Sequence, residues 1–104
     1  MAEIIWSEPA LQDLDAIADY IALDKPEAAR RLVQRIFIHV AQLALHPESG
    51  SRPPELKGMD YRQIVEPPCR VFYRIDRQRV LILHVMRGEQ RLRKERLRSR
   101  GVRR

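Results

Sequence analysis

Arginine is the side chain in this sequence with the greatest capacity for chemistry. Arg62, Arg70, Arg74 and Arg87 fall in or beside segments that read as strands. A metal-free ribonuclease could use such guanidinium groups to stabilise a phosphorane while a Tyr, His or Glu handles protons. The proton-handling half is missing, because no tyrosine or histidine follows the last strand, where the order of elements would bring one beside those arginines. The three histidines do not supply it. His39 lies mid-helix, His46 at a helix end where it complements the C-terminal dipole, and His84 on a strand face. No pair has metal-ligand spacing, and there is no HExxH, no Cys–His pair, no glycine-rich phosphate loop and no GxSxG. The single Cys69 excludes an internal disulfide and every Cys-cluster metal site; lying between a proline and a strand, it reads as inert. No catalytic residue, metal ligand or cofactor is assigned.

Charge is the stronger signal. The net charge of +6 hides a steep asymmetry: residues 1–50 carry 4 basic and 8 acidic side chains, residues 51–104 carry 16 and 6. Residues 87–104 alone hold 9 basic groups, among them Arg87, Arg91, Arg93, Lys94 and Arg96, against Glu89 and Glu95. An acidic partner, protein or nucleic acid, is implied. With 44% hydrophobic and 33% charged residues, the 104-residue chain has the composition and length of one globular domain. Its start lacks the basic and apolar regions of a signal peptide, and no uncharged stretch approaches the roughly 20 residues that span a bilayer. A cytoplasmic protein with no membrane partner is expected.

Those arginines must be positioned by the elements around them. Glu3–Trp6 is a short β-favouring run; Ser7 and Pro9 then signal a helix start, with Ser7 as N-cap. Leu11, Leu14, Ile17, Ala18 and Ile21 form one apolar stripe, while Asp13, Asp15 and Asp19 point elsewhere, and the helix runs to about Leu23. Asp24-Lys25-Pro26-Glu27 repeats the start signal, with Asp24 as cap and Glu27 completing a capping box. The second helix carries Ala29, Leu32, Val33, Ile36, Phe37, Val40, Leu43 and Ala44 on one face, and the short connection makes a helical hairpin. Three prolines and a glycine between His46 and Pro54 stop it.

The period then changes from 3.6 to 2. Tyr61 to Val65, Arg70 to Asp76 and Arg79 to Arg87 read as three strands, the last apolar enough to be central. A tight turn between Asp76 and Arg79 sets Ile75 against Val80, Tyr73 against Ile82 and Val71 against His84. One face then holds Val71, Tyr73, Ile75, Val80, Ile82, His84 and Met86, and is assigned to the hairpin. The other holds Arg70, Phe72, Arg74, Leu81, Leu83, Val85 and Arg87, an apolar row rimmed by arginines, and is assigned to solvent or a partner. Beyond Gly88 only Leu92, Leu97 and Val102 are apolar, too few for folding, so this basic tail or short helix of about residues 88–104 is read as a binding element. The fold class is α+β: β-α-α-β-β-β on a mostly antiparallel sheet.

This order, with the strings RPPELKGMDYRQIVEPPCRVFYRID and RVLILHVMRGEQR, resembles the RelE/ParE superfamily of type II toxins over nearly the whole chain. The opening IIWSEPALQDLDAIADYIA is similar to the family's strand and acidic first helix. Arg70 to Arg74 is similar to its YRxxYR, with Cys69 where tyrosine is common. The segment Met86-Arg87-Gly88-Glu89-Gln90-Arg91 resembles the ParE branch, Arg87 replacing a frequent histidine. The resemblance implies a toxin neutralised by a ParD-like antitoxin that contacts operator DNA, which the toxin would reach only through it. It implies inhibition of DNA gyrase by binding rather than enzymatic turnover. The alternatives are a RelE-like ribosome-dependent mRNA endonuclease and a degenerate toxin that only binds antitoxin and co-regulates its operon. On this view Arg70, Phe72, Arg74, Leu81 and Leu83 meet the antitoxin, and Arg87, Arg91, Arg93, Lys94 and Arg96 grip the target.

Overall fold

The computed structural model describes residues 1–88, 92 and 94–100, with Lys94 to Arg96 as backbone alone. The chain runs β1 (Glu3–Trp6), α1 (Glu8–Ala22), α2 (Pro26–Gln42), β2 (Arg62–Glu66), β3 (Cys69–Asp76), β4 (Arg79–Arg87) and α3 (Lys94–Arg100). Single 3-10 turns at Pro47–Ser49 and Pro54–Leu56 occupy the proline-rich connection between α2 and β2.

Local chemistry sets the helix starts. The Ser7 hydroxyl accepts from the Ala10 backbone N–H at 3.2 Å and caps α1 as expected. The cap of α2 is Lys25 rather than Asp24, and it has no side-chain cap bond. Pro26 is the cause: its ring suits the first helical position, which makes the residue before it the cap. Asp24 is left in the turn that follows α1, its N–H on the Ile21 carbonyl at 3.1 Å, and Glu27 pairs with Arg30 at 3.1 Å instead of closing a capping box.

The sheet order is β1-β4-β3-β2, with β1 parallel to β4 and the other pairs antiparallel. Ile75 faces Val80 and Tyr73 faces Ile82, as the turn predicts. A β-bulge then intervenes: Phe72 faces His84, so β4 uses one residue more than β3, and Val71 meets Val85 rather than His84. Because side chains alternate along a strand, that extra residue exchanges the faces beyond it. Val85 turns to the hairpin side; His84 and Met86 join Phe72 on the other, the reverse of the sequence assignment.

The hairpin closes one face. Ala10, Leu14, Ile17, Leu32, Ile36, Val40 and Leu43 bury against Ile64, Val71, Tyr73, Val80, Ile82 and Val85. Across the sheet, Phe72, Leu81, Leu83 and Met86 pack with Leu56, Tyr61 and Leu97, the last carried by α3. The proline-rich connection is fixed by Tyr73, whose hydroxyl donates to the Pro47 carbonyl at 2.7 Å and accepts from the Gly50 N–H at 3.0 Å. A Cβ on Gly50 would lie 2.5 Å from that hydroxyl, so only glycine permits the approach. Burial pushes the Tyr73 phenol above its ordinary value and keeps it a donor at neutral pH.

Candidate functional site

The four strand arginines do not converge. On β3, Arg70 donates to both Glu55 carboxylate oxygens at 2.8 and 3.3 Å and to Gln63 at 3.0 Å, its guanidinium 5.0 Å from the Phe72 ring centre. Hydrogen bonding from Arg70 holds the Glu55 carboxyl below its usual value. Arg74 shares the strand parity of Phe72 and pairs across with Leu81. Arg62, paired with Tyr73, donates instead to the Glu48 and Gly50 carbonyls at 3.1 and 2.9 Å. Arg87, at the end of β4, lies over the Tyr20 ring at 5.0 Å. Arg70 and Arg74 therefore belong to one face of the sheet, and Arg62 and Arg87 to the other.

The face expected to meet solvent or a partner is covered by this chain. Phe72 and Leu83 are 0% exposed and Leu81 is 1% exposed, beneath α3 and the connection before β2. Of the residues assigned to the antitoxin, only Arg70 and Arg74 reach solvent in part. The tail is not merely a solvated arm either: Leu97 is fully buried, because the sheet supplies the apolar neighbours that the tail lacks. Among the residues assigned to the target, Arg87 lies on the hairpin side, Arg91 and Arg93 fall outside the described residues, and Lys94 and Arg96 lie in α3 with side chains outside them.

Other apolar residues take the exposed positions. Tyr20 (62%), Leu23 (86%) and Ile38 (62%) are open on the hairpin, and Phe37 (41%) is only half covered by Trp6, 4.9 Å away between ring centres. The exposed Tyr20 ring carries the Arg87 guanidinium over its face. Val65, on the edge strand β2, is half exposed as well.

The chemically richest cluster draws on three elements and was not assigned from sequence. Asp13 leaves the apolar stripe of α1, yet its side chain is only 16% exposed. Its carboxylate accepts from Arg100 of α3 through two bonds, 2.6 and 3.2 Å. It also accepts from the Val85 backbone N–H at 3.1 Å and lies 2.8 Å from Nδ1 of His84. Arg100 additionally donates to the Leu83 carbonyl at 3.3 Å and contacts His84 Nδ1. The His84 ring stacks on Phe72, 5.9 Å between centres. Burial pushes the Asp13 carboxyl up, but hydrogen bonds from His84, Arg100 and Val85 outweigh it and hold the carboxyl below its usual value. Seventy-one residues separate Asp13 from His84, and no local pattern signals that contact. Among the described residues, no three His, Cys, Asp or Glu side chains are placed to hold a metal ion, and no helix is long and apolar enough to cross a membrane.

Comparison with known proteins places the chain in a family. Residues 4–92 match the model of the ParE toxin of type II toxin–antitoxin systems, parDE. The chain is 42% identical to protein Y4kP of Sinorhizobium fredii over 87 residues, covering 84% of this chain and 88% of that protein. It is 38% identical over 74 residues to the toxin RelE2 of Caulobacter vibrioides, covering 70% and 80% of the two chains. Among solved structures, the chromosomal ParDE system from P. aeruginosa superimposes with a TM-score of 0.72 at 30% identity, over 86% of this chain and 98% of that one. The RelBE2 toxin–antitoxin complex from Mycobacterium tuberculosis, at 20% identity and a TM-score of 0.56, shares the fold over 83% and 96% of the two chains.

Proposed function

Because this chain belongs to the ParE toxin family of type II toxin–antitoxin systems, we propose that it acts by binding DNA gyrase and is neutralised in the cytoplasm by a ParD-like antitoxin. The observation that carries the choice of a binding mode is the dispersal of Arg62, Arg70, Arg74 and Arg87 over two faces of the sheet. A metal-free nuclease needs its guanidinium groups and its proton donor around one phosphate, within hydrogen-bond reach of it. Arg62 and Arg70 are instead engaged with the protein itself.

The antitoxin surface consistent with this arrangement is the exposed hairpin, with Tyr20, Leu23, Phe37 and Ile38 as apolar anchors and the Arg87 guanidinium over the Tyr20 ring; Arg70 and Arg74, on the opposite face of the sheet, lie apart from it. Operator DNA is reached only through the antitoxin. The basic C-terminal segment, with Arg91, Arg93, Lys94 and Arg96, supplies cations for gyrase or its DNA, a contact that weakens with salt. A second reading, ribosome-dependent cleavage of mRNA, draws support from the relative named toxin RelE2.

Purified protein assayed in parallel for gyrase supercoiling and for translation in a cell-free extract separates the two. Inhibition of supercoiling alone is expected, with partial relief in Arg91→Ala plus Arg93→Ala and in raised salt. Messenger RNA cuts at the ribosomal A site with supercoiling unaffected would overturn the gyrase reading in favour of the nuclease.

A further inference from the structure

We propose that α3 is a latch closed over the outer face of the sheet by Leu97 and the Arg100–Asp13 ion pair, and that protonation of His84 opens it. Three facts meet at one atom. His84 Nδ1 is within hydrogen-bond reach of Asp13 Oδ2, at 2.8 Å, and in contact with Arg100 Nη1. A guanidinium can only donate and a carboxylate can only accept. Nδ1 therefore accepts from Arg100 when it is bare or donates to Asp13 when it carries hydrogen, and it cannot do both.

Protonation removes the choice. An imidazolium carries hydrogen on both ring nitrogens, so Nδ1 is committed to Asp13 and sets a second cation against Arg100. Asp13 then has a counter-ion without α3. Of the two cations competing for one carboxylate, His84 is fixed in the central part of β4, whereas Arg100 sits at the end of a helix of 7 residues. The helix is the element that yields.

The groups facing His84 are Asp13 from α1, Arg100 from α3 and the Phe72 ring from β3, with the Val85 N–H and Leu83 carbonyl of β4 bound to Asp13 and Arg100. The His84 side chain is 6% exposed, so its proton must come with an opening of the cover above it. Release of α3 uncovers the apolar row Phe72, Leu81, Leu83 and Met86 while leaving the hairpin core closed.

Thiol labelling of the full chain carrying Met86→Cys tests this, because Met86 packs with Leu97 under α3 while Cys69 is buried on the hairpin side and reports global opening. A pyridyl disulfide that reacts at low pH is used from about pH 8 to about pH 5, the range in which histidine titrates, with rates referred to a thiol peptide. The introduced thiol should label faster on acidification, approaching about tenfold per pH unit once His84 protonation is linked to opening, with Cys69 slow throughout. Arg100→Gln should label fast at every pH, and His84→Gln should abolish the pH response. Labelling that tracks Cys69, a pH-independent rate in wild-type background, or a response that survives His84→Gln would overturn the latch. If His84→Gln does not fold by circular dichroism, Asp13→Asn replaces it: fast labelling at every pH supports the latch and slow labelling overturns it.

Discussion

On the hairpin side, β3 and β4 lie under helices of 15 and 17 residues whose apolar stripes interlock with theirs. On the other side the same two strands lie under a helix of 7 residues and a proline-rich connection, held by the ion pairs Arg100–Asp13 and Arg70–Glu55. Both covers bury side chains to nearly zero exposure, yet they differ in what opening them would cost. Each fully buried aliphatic or aromatic side chain contributes roughly 1.5–3 kcal/mol, so the hairpin holds its face with many such terms. Among the described residues, helix α3 contributes one, Leu97, together with Arg100. Equal burial is therefore no guide to equal permanence: the hairpin face is the fold, and the far face is covered by an element that can leave.

The largest expected effect breaks the comparison if it fails, and it concerns two neighbours in β4. Ile82 is 0% exposed beneath the hairpin and Leu81 is 1% exposed on the far face. Ile82→Asp places a carboxylate where no cover can leave, and should abolish folding at a cost above about 4 kcal/mol. Leu81→Asp can be relieved by departure of α3, so the chain should keep its helical circular dichroism and a cooperative, lowered melt. Equal loss of structure in both variants would show that the two faces open only together.

Those two faces were only partly legible in the sequence. The elements are local features: Ser7 before Pro9, the 3-4 spacing of Leu11 to Ile21, and the change to period 2 after Met59 mark them within a residue or so of where they lie. The bulge left no mark, since Leu83 and His84 continue an unbroken apolar strand without a glycine, and one extra residue was enough to exchange Val85 with His84 and Met86. Leu97 was read as too little to fold a tail, which holds for a helix alone and fails when the sheet brings Phe72, Leu81 and Met86 to it. Asp13 could be placed off the stripe of α1, but its partners come from β4 and α3, and side-chain pairing at that separation is a property of the assembled fold.

Asp13 sharpens the comparison because it sits on the hairpin and serves the far face. Its carboxyl is held below the unfolded value of 3.8. Between the folded and unfolded values the unfolded chain binds more protons, so stability rises with pH there. The contribution is complete above the unfolded value and is lost as pH falls through the folded one. Urea unfolding across an acid pH series should give Asp13→Asn lower stability than wild type at neutral pH and a flatter acid limb. Parallel profiles for the two proteins would mean that the carboxylate does not couple the elements it touches.

The smallest effect separates the two covers most cleanly. Lys25 caps α2 without a side-chain bond, so Lys25→Ser can supply the missing acceptor to an N–H of the first turn, worth about 0.5–1 kcal/mol at such positions. The gain belongs to the hairpin alone, on the side of the sheet away from α3. Thermal unfolding should therefore shift upward while labelling of the Met86→Cys thiol, measured in the same background, stays unchanged, because docking of α3 is a separate equilibrium within an already folded body. If labelling slows in proportion to the added stability, exposure of Met86 requires the hairpin to open as well, and the far face is then as permanent as the near one.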